Sequence, residues 1–145
     1  MPKSTATCNS ILALMYNATA WANVADDAAS SPLANTYLSL HTADLTAGND
    51  SQTEDETAYT NYARQAVART TGGWDAPSGG ATQNAALVQF PQCGVTGATL
   101  THVATGTAVS GAGHVWHYGA LNSSLAVANG IQPQFAASAL TITET

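Results

Sequence analysis

The apolar positions of this chain change period once. Between residues 5 and 28, Ile11, Leu14, Met15, Ala18, Trp21, Ala22 and Ala25 recur at three- and four-residue spacing, which places them on one helical face. Ser4, Thr5 and Ser10 carry hydroxyls able to accept the orphan backbone donors of a first turn. A break is expected near Asn17, giving two short helices. Asp26 to Asn35 (DDAASSPLAN) reads as a linker of small polar residues around Pro32. Thr36 to His41 (TYLSLH) then alternates, with Leu38 and Leu40 on one side and Tyr37, Ser39 and His41 on the other, the pattern of a half-buried strand.

From there onward the pattern predicts strands and turns. Thr42 to Thr57 is a long polar loop carrying Asp44, Asp50, Glu54, Asp55 and Glu56. Tyr59 to Ala68 resumes as a strand, and Asp75 to Gly80 (DAPSGG) is a turn cluster. Ala85 to Phe90, Ala98 to Thr107, His114 to Leu121, Ile131 to Phe135 and Leu140 to Thr143 read as further strands. Ser110 to Gly113 is a hairpin signal and Asn122 to Ser124 another turn. About eight short strands at regular spacing predict a mainly β fold: a single antiparallel β-sandwich or jelly-roll-like barrel with a short N-terminal helical arm. Residues 1–35 form the arm and linker, and residues 36–145 the sandwich domain. There is no internal repeat of the kind that builds a solenoid or propeller.

Composition narrows the function. The chain of 145 residues is long enough for one domain with a real core. It is 45% hydrophobic, mostly through Ala, Val and Leu, yet holds only three basic residues, Lys3, Arg64 and Arg69, for a net charge of −6. Binding a phosphate backbone needs clustered cations, so no nucleic-acid partner is expected. No apolar stretch approaches membrane-spanning length and no secretory signal is present, so no membrane partner is expected and synthesis in a cytoplasm is. Cys8 and Cys93 form a disulfide only if the fold brings them together; two buried thiols acting as small hydrophobes are the expected state.

Candidate chemistry is sparse. Strand alternation puts His114 and His117 on opposite faces, so one metal does not take both. The acids from Asp50 to Glu56 lack the alternate-position ligands and central glycine of a calcium loop. No GxSxG, HExxH or phosphate loop is present, and no nucleophile is marked out beside His41 and Asp44. No catalytic, cofactor-binding or metal residues are therefore expected. Trp116 and Tyr118 share one face of a strand and suit either packing or a sugar-stacking platform. Arg64 and Arg69, scarce cations with planar forks, suit either a pair with an acid of their own domain or a pair across a subunit interface.

Several ordered blocks resemble a family of small tailed-phage and prophage virion proteins often labelled tail-fibre-like. They are Asn35 to Asp44 (NTYLSLHTAD), Tyr59 to Arg69 (YTNYARQAVAR), Gly73-Trp74, Phe90-Pro91 with Cys93, Gly106 to Gly113 (GTAVSGAG) and Tyr118 to Leu121 (YGAL). The N-terminal stretch through Trp21, and Asp26 to Leu33, fit as well. After Asp44 the chain has Leu45-Thr46 where many relatives have Pro-Gly, and its His114 to His117 segment is also unusual. The resemblance implies a structural component of a phage particle and carries no catalytic residues.

Without a shaft, repeat or coiled region, the expected role is capsid decoration: a cement protein on the outer surface that binds the major capsid protein and sister copies as a dimer or trimer. A tail-fibre or tail-tip component, or a carbohydrate-binding module using Trp74, Trp116 and Tyr118, is the alternative. Candidate interface residues are Ile11, Leu14, Met15, Trp21, Arg64, Arg69, Trp74, Trp116 and Tyr118.

Overall fold

The structure, a computed structural model, describes residues 3–21, 33–45 and 51–145. The expected linker (26–32), the second half of the expected helical region (22–28) and the acidic loop tip (46–50) lie outside them. Among the described residues, one helix, α1 (Thr5–Asn17), precedes eight strands: β1 (Asn35–His41), β2 (Gln65–Ala68), β3 (Ala81–Gln83), β4 (Val88–Gln89), β5 (Ala98–Gly106), β6 (Val115–Val127), β7 (Gln134–Phe135) and β8 (Thr141–Thr143). The four-stranded sheet runs β2-β1-β5-β6, and two ribbons pair β3 with β8 and β4 with β7. The fold is mainly β and antiparallel, as the pattern predicts. It is compatible with a sandwich, and no sheet closes into a barrel.

Several boundaries differ from the periodic reading. Residues 59–64 are irregular, with a turn at 60–61, rather than the first half of a strand; the Tyr59 and Tyr62 rings meet edge-on there, centroids 5.3 Å apart. Ala81–Gln83, too short to carry periodicity, is a strand. Asn122 to Ser124 is no turn: it lies within β6, the longest strand.

Two compact units emerge. The first is drawn from residues 1–35, 67–88 and 135–145. Its helix shares that unit with segments from the middle and end of the chain, where the pattern predicts an arm separate from residues 36–145. Ser4 caps α1, its hydroxyl accepting from the Thr7 N–H at 3.2 Å, and Ala18 closes it in the left-handed region at φ 52°. The buried row is Cys8, Leu12 and Tyr16, spaced by four, not the expected Ile11, Leu14 and Met15, which are half-buried. Tyr16 meets Trp74 edge-on, ring centroids 4.8 Å apart, and Asn17 donates to the Trp74 carbonyl at 3.0 Å. Trp74 is fully enclosed. Beneath it Asn84, also fully buried, donates to the Ala86 and Ala136 carbonyls and accepts from the Leu140 N–H. All of its side-chain capacity but one lone pair is thereby used, as burial of an amide requires.

The second unit comprises Thr36–Ala66 and Gln89–Gln134. β1 pairs antiparallel with β5, His41 opposite His102, and β5 pairs with β6. Leu38, Leu40, Tyr59, Phe90, Leu100 and Val103 form its apolar interior. Tyr62 stacks parallel to Phe90 at 6.3 Å. Cys8 and Cys93, in different units, are both free and buried.

Candidate functional site

Two features of the second unit compete for functional interest: a buried polar cluster and the long, largely exposed strand β6. The cluster centres on Arg64, which is 6% exposed. Its Nε and Nη2 grip Glu56 in a fork at 2.6 and 2.7 Å, while Nη1 and Nη2 donate to the Ala108 and Gly111 carbonyls at 2.9 and 2.7 Å. Tyr62 donates to the same carboxylate at 2.8 Å and accepts from the Leu40 N–H at 3.0 Å. The carboxylate fork holds the Arg64 guanidinium above its ordinary pKa, and burial drives the Tyr62 phenol strongly upward. Glu56 was expected in a solvated loop. Instead residues 51–57 fold back on their own unit: the Thr57 N–H donates to the Leu40 carbonyl, and Gln52, fully buried, donates to Tyr37 and accepts from Ala108. Gly106 and Gly113 must be glycine because a side chain there would strike the Gln52 carboxamide.

His41 completes the cluster. Its Nε2 lies 2.8 Å from the Ser39 hydroxyl and its Nδ1 2.7 Å from the Glu54 carbonyl. A serine–histidine pair at that distance has the geometry of an activated nucleophile. Both residues, however, are completely enclosed, so no substrate reaches them. Burial lowers the His41 pKa, which leaves a neutral ring with one nitrogen donating and the other accepting. This is structural hydrogen bonding between β1 and the 51–57 segment. On the neighbouring strand, His102 lies 3.3 Å from Asp44. Among the described residues, no group of three or more His, Cys, Asp and Glu side chains converges in a metal-binding arrangement.

The expected interface residues divide. Arg64 and Trp74 are buried within their own units and present no surface to a partner. Arg69 is half-buried and donates from Nη1 to the Leu33 carbonyl at 2.6 Å, and from Nε and Nη2 to the Met15 and Leu14 carbonyls at the end of α1. Its scarce charge thus closes the helix C-terminus, where a cation opposes the dipole, and burial lowers its pKa. Ile11, Leu14, Met15 and Trp21 are half-buried. With Trp74 enclosed, the proposed aromatic platform loses one of its three members. An open pocket of about 300 Å³ in the first unit is lined by Asp75, Ser78, Thr82, Gln83 and Thr141 but by no aromatic ring. The Asp75 carboxylate there already accepts from Gln83 at 2.7 Å.

Trp116 and Tyr118 belong to the second feature. Among the described residues β6 is the last strand of its sheet, and only Val127 of its thirteen residues is buried. Two register shifts interrupt its pairing with β5. One bulges Trp116 out of the ladder, and the other leaves Leu121 to Ser124 opposite Thr101 alone. The strict alternation expected for Trp116 and Tyr118 therefore does not hold, and His114 falls outside the strand. Between the shifts, His117 to Ala120 pairs regularly with His102 to Thr105. Tyr118 and Leu125 are exposed on the strand, Val109 just before it and Ile131 just after it. From Ala76 to Thr143 the sequence carries no Asp, Glu, Lys or Arg, so β6 itself is uncharged, while Asp44 stands on His102, the β5 residue that pairs with Ala120.

Comparison with known proteins adds one match. A protein-family model described as "Podophage GP4 fiber I protein gp80" matches residues 4–143. No curated protein matches the chain. The match runs through α1, the Arg64 cluster and β6 alike; the chain belongs to this podophage fibre family and is a structural protein of the phage virion.

Proposed function

We propose that this protein is a binding-only subunit of a fibre appendage on the phage particle, joining protein neighbours and transforming no substrate. The observation that carries the reading is the nearly full-length match to a family described as a fibre protein. The exposed side chains of β6 support it, Tyr118 and Leu125 among them, because apolar surface of this kind suits contact with a neighbouring protein. The buried Arg64 and Asn84 networks tie distant chain segments together within each unit, the rigidity a load-bearing joint requires.

A second reading, capsid decoration on the outer shell with contacts to the major capsid protein, rests on a different observation. No described element is longer than thirteen residues, and none is a shaft-forming coiled helix or repeat. Copy number separates the two. Quantitative mass spectrometry of purified particles is expected to give this protein in small proportion to the major shell subunit, with antibody label on appendages seen by electron microscopy. A copy number close to that of the shell subunit, with label over the capsid surface, overturns the fibre reading in favour of decoration.

A further inference from the structure

We infer that Asn129 is a modification site: it loses its side-chain amide spontaneously through the Gly130 nitrogen, at a rate set by the hold of Gln92 and Cys93 on the turn. The inference goes beyond the fibre reading and does not depend on it.

The reaction asks three things of an asparagine: a following residue that leaves its nitrogen unshielded, a free carboxamide, and a backbone able to move. Of the nine asparagines in the chain, only Asn129 precedes a glycine. Gly130 sits at φ 86° and carries no Cβ to stand over its own nitrogen, and the space where a Cβ would lie is open to 4 Å. Asn129 is exposed, and its carboxamide makes no hydrogen bond among the described residues. The side chains of Asn9, Asn17 and Asn61 each hold a partner, and Asn84 is fully enclosed.

The turn that carries the pair is clasped by the 92–93 segment of the same unit. The Ile131 N–H donates to the Ala128 carbonyl at 2.9 Å and closes the turn just after β6. The Gly130 N–H donates to the Cys93 carbonyl at 2.9 Å, and the Cys93 N–H to the Ile131 carbonyl at 2.8 Å. Gln92 adds its Nε2, which donates to the Gly130 carbonyl at 2.8 Å. The attacking nitrogen is therefore engaged while the turn is closed and is released when it opens. Gln92, Asn129, Gly130 and Ile131 are all exposed, so opening needs no loss of the interior.

In the open turn the Gly130 nitrogen gives up its proton and attacks Asn129 Cγ. The new N–Cγ bond closes a cyclic imide, the Cγ–Nδ2 bond breaks, and Nδ2 leaves as ammonia with the proton it has gained. Water then opens the ring. Attack at Cγ gives aspartate; attack at the main-chain carbonyl carbon gives isoaspartate, in which the chain runs through the former side chain. Either product places a carboxylate in the stretch from Ala76 to Thr143, which otherwise carries no charge. The isoaspartyl product also lengthens the backbone inside the Ala128–Ile131 turn, which breaks its register with Cys93.

The test follows the full chain during incubation at 37 °C, well below its thermal melt, by mass mapping of digests with isoaspartate detection. Conversion is expected at Asn129 ahead of Asn122, an exposed asparagine of β6 that precedes a serine, and it is expected to quicken as pH rises. Unfolding in urea is expected to speed it further. Gln92→Ala removes one tie and is expected to speed conversion of the folded chain about two- to tenfold, the net worth of one hydrogen bond. Asn129→Gln is expected to abolish the isoaspartyl peptide. A folded chain that converts Asn129 no faster than Asn122 overturns the inference, as does a Gln92→Ala chain that reacts at the unaltered rate. None of these results touches the fibre reading, which fails instead if the protein is missing from purified particles.

Discussion

Arg64 is the residue on which most of the second unit's polar structure converges. With its side chain almost fully buried, truncation to Ala leaves the half-buried Glu56 without its countercharge and frees the Ala108 and Gly111 carbonyls. We expect Arg64→Ala to lower stability by about 3–5 kcal/mol, the cost of breaking a buried pair from one side. Arg64→Lys should recover little, since an ammonium cannot form the fork. Urea denaturation checks both, and a loss below about 1 kcal/mol would show that the cluster is not needed. His41 makes a pH prediction. Its folded pKa lies below the usual 6.5 because burial disfavours the cation. As pH falls through about 6.5 the unfolded chain takes up a proton that the folded chain refuses, so stability falls; above that range His41 contributes no pH dependence. Urea midpoints measured downward from neutral pH should drop, and His41→Gln should remove part of that drop. A midpoint that rises on acidification through this range would contradict the assignment.

At the scale of elements, α1 shows how little of a helix's stability is its own. It has no acid in its first turn and no base in its last, and thirteen residues are marginal in isolation. It stands through Ser4, through Arg69 at its C-terminus, and through the Cys8, Leu12 and Tyr16 row. Ser4→Ala should cost about 1 kcal/mol. Ala18 closes the helix at φ 52°, where a Cβ is strained, so Ala18→Gly should stabilise by about 0.5–1 kcal/mol despite glycine's greater freedom when unfolded. Thermal melts of the two variants should therefore move in opposite directions. The periodic reading found this helix but chose the wrong face. It counted Ile11, Leu14 and Met15 and passed over the tyrosine and cysteine that pack inward. Likewise it made Tyr59 to Ala68 one strand, where Tyr59 and Tyr62 leave the ladder to fill the interior.

For the whole molecule, the scarcity of cations decides where each one is used. Of the two placements the sequence leaves to the arginines, the fold shows the internal one: Arg64 and Arg69 are used inside the fold, where a fork of donors can close several carbonyls at once.

Composition, turn chemistry and the change of period were enough to give the class, a mainly β chain with one short N-terminal helix, and the ordered motif blocks were enough to give the phage family. Those properties are local: each depends on residues a few positions apart. What the sequence left open depended on contacts between residues far apart in it. Glu56 became the partner of Arg64, Gln52 left the acidic loop for the interior, and Trp74 was taken from the surface. The order β2-β1-β5-β6 set His102 between His41 and Ala120. A strand's pattern states which side chains it buries, but only the tertiary fold determines which strands become its neighbours.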